Sequence, residues 1–60
     1  GWVLLDYKTD RLRAGVSLAS MAAEHLPQLE LYAEALYHLT GLPVTERYVV
    51  LISAGRAVRV

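Results

Sequence analysis

The stretch that decides the fold is Val3-Leu4-Leu5-Asp6-Tyr7-Lys8-Thr9-Asp10, an apolar run that ends in a carboxylate and a lysine. A continuous apolar run of this kind is typical of a buried strand that helices cover on both faces. Because side chains alternate along a strand, Asp6 and Lys8 are expected on the same face, where the strand leaves the core. A carboxylate and an ammonium in one small volume suit a divalent metal held by Asp6, with Lys8 stabilising charge on a phosphate.

Composition limits the kinds of protein that this chain can be. Its 60 residues make one small domain at most, and a chain of this size buries only about 60% of its unfolded surface. The hydrophobic content of 55% is high for that length, which indicates part of a larger core or a piece that pairs with another. Because the chain has no cysteine, disulfides and thiolate metal sites are excluded, and any metal must be held by oxygen or histidine ligands.

The charges of the chain balance. Six basic and six acidic side chains give a formal net charge of zero, so any contact with nucleic acid must come from a local cluster rather than from overall basicity. One such cluster follows the first strand at Lys8, Arg11 and Arg13, although a solvated rim is the alternative interpretation. No apolar run is long enough for a membrane span and no targeting signal is visible, so we expect a cytoplasmic location without membrane contact.

The middle of the chain is predicted to be helical. Either Ser17 or Ser20 suits the cap of a helix over the alanine- and leucine-rich run 18–26. A second helix is predicted from Pro27 to Thr40, because apolar residues recur there at spacings of three and four, and Gly41 provides its end. Residues 9–17 show no periodicity and are interpreted as a surface loop.

The last third of the chain predicts two more strands. Residues 47–52 are rich in valine and isoleucine, and residues 56–60 alternate with Val58 and Val60 inward, after a turn at 53–55. The long connection between the first two strands allows a right-handed crossover, which makes them parallel, whereas the last two strands form an antiparallel hairpin. The predicted fold class is α+β, with a mixed three-stranded sheet in the order strand–helix–strand–strand.

Gln28 and Tyr32 form a second motif. They are four residues apart on the predicted second helix, so both side chains leave the same face near its start. An amide and a phenol at this spacing could reach a phosphate, a base or Lys8. The alternative is that Tyr32 is a core aromatic and Gln28 an ordinary polar residue at a helix start.

Together the two motifs resemble a known family. The motifs are Leu5-Asp6-Tyr7-Lys8-Thr9-Asp10-Arg11 and Gln28-Leu29-Glu30-Leu31-Tyr32-Ala33-Glu34-Ala35-Leu36. They are similar to the RecB/AddA-type nuclease domain of bacterial helicase–nucleases, within the P-D…(D/E)-x-K superfamily. The resemblance implies a partial restriction-endonuclease-like core that cleaves DNA phosphodiester bonds with Mg²⁺, or with Mn²⁺ in its place, as part of a machine for double-strand break repair and recombination. The implied partners are DNA, the remainder of a longer helicase–nuclease chain and a second nuclease subunit.

The resemblance also implies roles for individual residues. Asp6 would be a metal ligand, Lys8 the catalytic lysine, and the backbone carbonyl of Tyr7 a further metal ligand. Gln28 and Tyr32 would match the family's Gln-x-x-x-Tyr motif, which helps to hold DNA and the active site together. The side chains expected to contact DNA are Gln28, Tyr32, Arg11 and Arg13.

The family pattern includes one part that these residues lack. Family members carry another acidic metal ligand on a strand upstream of the Asp-x-Lys motif. We therefore expect residues 1–60 to be the C-terminal part of a single nuclease domain, without its upstream strands, and to be inactive as an isolated piece.

Two other interpretations stay open. In the first, the chain is a non-catalytic structural or DNA-contacting subdomain, in which Asp6 and Lys8 form an ion pair and the second helix merely packs. In the second, the chain is a small α+β module that binds a partner through an exposed strand edge, as its high apolar content suggests. Metal binding at Asp6 favours the nuclease interpretation over both.

Overall fold

A three-stranded mixed sheet forms the framework of the molecule, seen in a computed structural model that describes all residues 1–60. The strands are β1 (Trp2–Lys8), β2 (Val44–Leu51) and β3 (Arg56–Arg59). They lie in the order β1-β2-β3, with β1 parallel to β2 and β3 antiparallel to β2. This arrangement confirms the predicted mixed sheet, with its parallel first pair of strands and its antiparallel hairpin.

Two helices connect β1 to β2: α1 (Leu18–Ala23) and α2 (Leu26–Thr40). Ser17 is the cap of α1, since its hydroxyl accepts a hydrogen bond from the backbone N–H of Ser20. The helix ends at Ala23 rather than at residue 26, because Pro27 starts a new helix more easily than it continues an old one. Gly41 ends α2 with a φ of 72°, a left-handed conformation that favours glycine.

The core lies between the helices and one face of the sheet. Five side chains are fully buried: Met21, Ala22, Leu29, Val49 and Leu51. Val58 and Val60 pack against this cluster, as their alternation predicts. Because α1 contacts β2 and β3 while α2 contacts β1 and β2, the helices lie side by side over the same face.

The opposite face of the sheet is bare, and here the sequence-based expectation is wrong. The apolar run in β1 is typical of a strand covered on both faces, yet Val3, Leu5 and Tyr7 are exposed. Both helices pack on the other face, beside Leu4, so nothing in residues 1–60 covers this side.

Strand β2 begins at Val44, three residues before the predicted start at Arg47. Of residues 44–46 only Val44 is apolar, so they do not continue the apolar run. Pairing supplies the reason that they are extended: Trp2 of β1 aligns with Val44, and the Trp2 N–H donates to the carbonyl of Pro43. Pairing with β1 therefore extends β2 beyond its apolar part. The predicted turn at 53–55 is a short 3-10 helix, Ile52–Ala54, followed by Gly55.

No helix combines the length and the apolar composition needed to cross a membrane.

Candidate active site

The candidate site lies at the C-terminal end of β1. Asp6 and Lys8 both point to the face that carries the helices, because they share the side-chain parity of Leu4. Both side chains are half-buried, with 18% of Asp6 and 24% of Lys8 exposed. The Lys8 Nζ atom lies 3.3 Å from Asp6 Oδ2, so the two charges share one partly desolvated volume.

The start of α2 brings two more side chains to this point. The Lys8 ammonium donates to Gln28 Oε1 at 2.9 Å, and Gln28 Nε2 donates to the Tyr32 hydroxyl at 2.9 Å. Gln28 and Tyr32 can meet because they lie one helical turn apart on α2. The structure therefore brings Asp6, Lys8, Gln28 and Tyr32 into one continuous chain of contacts.

Asp6 carries an unsatisfied oxygen atom. Its Oδ2 is buried and forms no hydrogen bond, although the Lys8 ammonium lies 3.3 Å away and offsets part of its charge. A buried carboxylate oxygen without a hydrogen bond is costly unless another group compensates it. A hard cation such as Mg²⁺, which prefers oxygen ligands, would compensate this oxygen.

The other candidate ligands are sparse. No group of three or more His, Cys, Asp or Glu side chains is placed to hold a metal ion. Tyr7 lies between Asp6 and Lys8, but its side chain points to the bare face and is exposed, so only its backbone carbonyl could serve the site. At this point of the fold the candidate ligands are therefore the Asp6 carboxylate and the Tyr7 carbonyl.

The two arginines expected to contact DNA differ in their surroundings. Both lie in the irregular segment between β1 and α1 and are exposed. Arg13 forms an ion pair with Glu24, whereas Arg11 has no acidic partner among the ion pairs of the structure. Arg11 is therefore the more available of the two positive charges.

Sequence reasoning missed one feature beside the site. His25 Nε2 lies 2.6 Å from Asp10 Oδ2, and both side chains are half-buried. Asp10 belongs to the first motif, but its partner follows 15 residues later at the junction of the helices. No sequence periodicity links a loop residue to such a junction, so only the fold reveals the contact.

The chain is similar to part of a known bacterial protein, the AddA subunit of the ATP-dependent helicase/nuclease. Over 54 residues, which are 90% of this chain, it is 48% identical to that protein from Streptococcus pyogenes serotype M5, strain Manfredo. The same protein from serotype M49, strain NZ131, shows the same identity and coverage. The chain is therefore related to one region of this helicase/nuclease.

The aligned part of the chain spans only 4% of the length of these relatives. No family model and no solved structure matches the chain. The similarity therefore supports the relation of this chain to a helicase/nuclease, which the two motifs also indicate. The assignment of the chain to the nuclease domain stays a prediction.

Proposed function

We propose that this chain is part of the nuclease domain of an ATP-dependent helicase/nuclease and that the domain hydrolyses DNA phosphodiester bonds with Mg²⁺ during double-strand break repair. The observation that carries the proposal is the chain of contacts from Asp6 through Lys8 and Gln28 to Tyr32. The similarity to the Streptococcus pyogenes helicase/nuclease supports the part of the proposal that concerns the parent protein. The partners that follow are DNA, the rest of a longer chain and a second nuclease subunit.

The residues present fit part of a metal site. The unsatisfied Asp6 Oδ2 and the Tyr7 carbonyl would hold the ion, and Mg²⁺ needs only one or two carboxylates because it keeps several waters. When bound, the ion supplies a nucleophilic hydroxide and shields charge on the phosphate. A further carboxylate would come from outside residues 1–60.

Lys8 is suited to hold a phosphate. An ammonium has three N–H donors, and the contacts with Asp6 and Gln28 involve two of them at most. At least one N–H is left to donate to a phosphate oxygen. The carboxylate of Asp6 also offsets part of the cost of holding the ammonium in a partly buried position.

Tyr32 and Gln28 extend the site toward the substrate. Because the Tyr32 oxygen accepts the hydrogen bond from Gln28, its own proton is free to point outward. Tyr32 is 45% exposed, so this proton can reach a DNA phosphate or sugar. Gln28 holds both neighbours in place by accepting from one and donating to the other.

A specific observation also favours a second candidate. The Asp6–Lys8 ion pair of 3.3 Å is the contact expected of a non-catalytic subdomain, in which the two charges only compensate one another. In that case neither a metal nor DNA would bind at Asp6.

A chimaera tests the proposal. The 54 matched residues of the Streptococcus pyogenes serotype M5 protein are replaced with those of this chain, and DNA cleavage with Mg²⁺ is measured beside ATP hydrolysis. We expect cleavage in the chimaera and its loss in the same chimaera with Asp6→Asn, with ATP hydrolysis unchanged. Glu34→Gln, on the exposed side of α2, is the matched control and should cleave normally. Normal cleavage by the Asp6→Asn chimaera would refute the proposed function.

A further inference from the structure

A second side-chain contact joins the two elements that form the site. Asp10 lies two residues beyond the end of β1, and His25 is the residue before α2. Their side chains meet at 2.6 Å, and His25 and Asp10 are 20% and 33% exposed. Because an ionised carboxylate only accepts hydrogen bonds, the His25 Nε2–H donates to Asp10 Oδ2. The contact spans the same junction as the hydrogen bond between Lys8 and Gln28.

No side-chain hydrogen bond caps the start of α2. The His25 side chain makes no capping hydrogen bond to the helix, and the first turn is held by the buried Leu29 and by the hydrogen bond from the His25 N–H to the Ala22 carbonyl. The irregular segment 9–17 separates β1 from the helices, so the backbone alone does not fix the distance between Lys8 and Gln28.

His25 is placed to set the orientation of the first turn of α2. Its carbonyl accepts the N–H of the buried Leu29, and it lies three residues before Gln28, on the same side of that turn. A His25 side chain held by Asp10 therefore fixes the direction in which Gln28 leaves the helix.

We propose that Asp10 and His25 are a positioning pair that holds Gln28 against Lys8. A role of this pair in catalysis rests on the proposed function, but the contact between the two side chains requires neither metal nor DNA. The neighbouring Arg13–Glu24 pair ties the same loop to the end of α1. Its side chains are 51% and 53% exposed, and such exposed pairs contribute little, which makes it a matched comparison.

The test follows the side-chain amide of Gln28 by NMR, without metal or DNA. In His25→Ala we expect its two Nε2 proton resonances to move to the positions of a free glutamine, because the contacts with Lys8 and Tyr32 are lost. His25→Gln, which retains a donor for Asp10, should restore the native positions. Arg13→Ala should leave them unchanged. Asp10→Ala should reproduce the effect of His25→Ala from the other end of the pair.

Native Gln28 resonances in a folded His25→Ala variant would overturn the proposal. Loss of the whole fold in both alanine variants would also overturn it, since the pair would then support the domain rather than position Gln28. In the chimaera, the positioning role predicts a fall in kcat/KM for DNA cleavage of up to about 100-fold for His25→Ala, and recovery of the rate in His25→Gln. A chimaera that never cleaves DNA, with Gln28 still displaced in His25→Ala, would refute the nuclease function but not the pair.

Discussion

Among the single side chains, Gln28 links the residues of β1 to those of α2 in the site. Its amide accepts from Lys8 and donates to Tyr32, so one amide holds both the ammonium that pairs with Asp6 and the phenol. The spacing of Gln28 and Tyr32 could be predicted from the sequence, because helical periodicity puts them on one face. The contact with Lys8 could not be predicted from spacing alone, since it depends on where α2 begins relative to β1.

Tyr48 gives a residue-scale prediction away from the site. Its hydroxyl donates to Glu46 Oε1 at 2.8 Å, and this hydrogen bond, together with desolvation and the charge of Glu46, raises the pKa of Tyr48 above its ordinary value of 10.0. The folded chain therefore keeps this proton at a pH at which the unfolded chain has released it. The stabilisation is present in full below pH 10.0 and is lost as the pH rises through the pKa of the folded state.

We expect the difference in free energy of unfolding between the wild type and Tyr48→Phe to be constant below pH 10.0. Above this pH the wild type should lose stability relative to Tyr48→Phe. Urea unfolding of both proteins across this range measures the difference. Parallel pH profiles for the two proteins would show that the hydrogen bond to Glu46 does not persist in solution.

At the scale of the elements, α2 depends on one buried side chain. Leu29 is fully buried in the core, whereas Leu39 on the same helix is 83% exposed. We expect Leu29→Ala to lower the free energy of unfolding by about 2–5 kcal/mol, enough to unfold much of so small a chain. Leu39→Ala should change it by at most about 0.5 kcal/mol. Chemical denaturation followed by circular dichroism measures both values, and equal losses would contradict the packing of α2 described here.

The elements also show what the sequence could and could not predict. The parallel β1–β2 pair followed from the length of the connection, and the end of α2 followed from Gly41. The early start of β2 did not, because residues 44–46 become extended through pairing with β1 rather than through their own apolar pattern. The contact between Asp10 and His25 was missed for a similar reason, since it forms only when the loop and the helix junction meet.

At the scale of the whole molecule, the sheet has one covered and one bare face. The apolar run of β1 predicted burial on both faces, yet Val3, Leu5 and Tyr7 are exposed. An apolar pattern shows which side chains of a strand can be buried, but it does not show whether another element covers them. The candidate site is likewise incomplete. Strand β1 and helix α2 bring four side chains together, but residues 1–60 provide only some of the ligands that a metal ion needs. We expect this part of the site to be formed already within residues 1–60.

A Mn²⁺ titration followed by NMR line broadening shows whether it is formed, on the wild type, on Asp6→Asn and on the matched control Glu34→Gln. We expect broadening centred on Asp6 and Tyr7 in the wild type and in Glu34→Gln, because the buried Asp6 Oδ2 lacks a hydrogen bond and favours a hard cation. We expect no localised broadening in Asp6→Asn. Broadening that persists in Asp6→Asn, or a folded wild-type chain without localised broadening, would contradict the metal site.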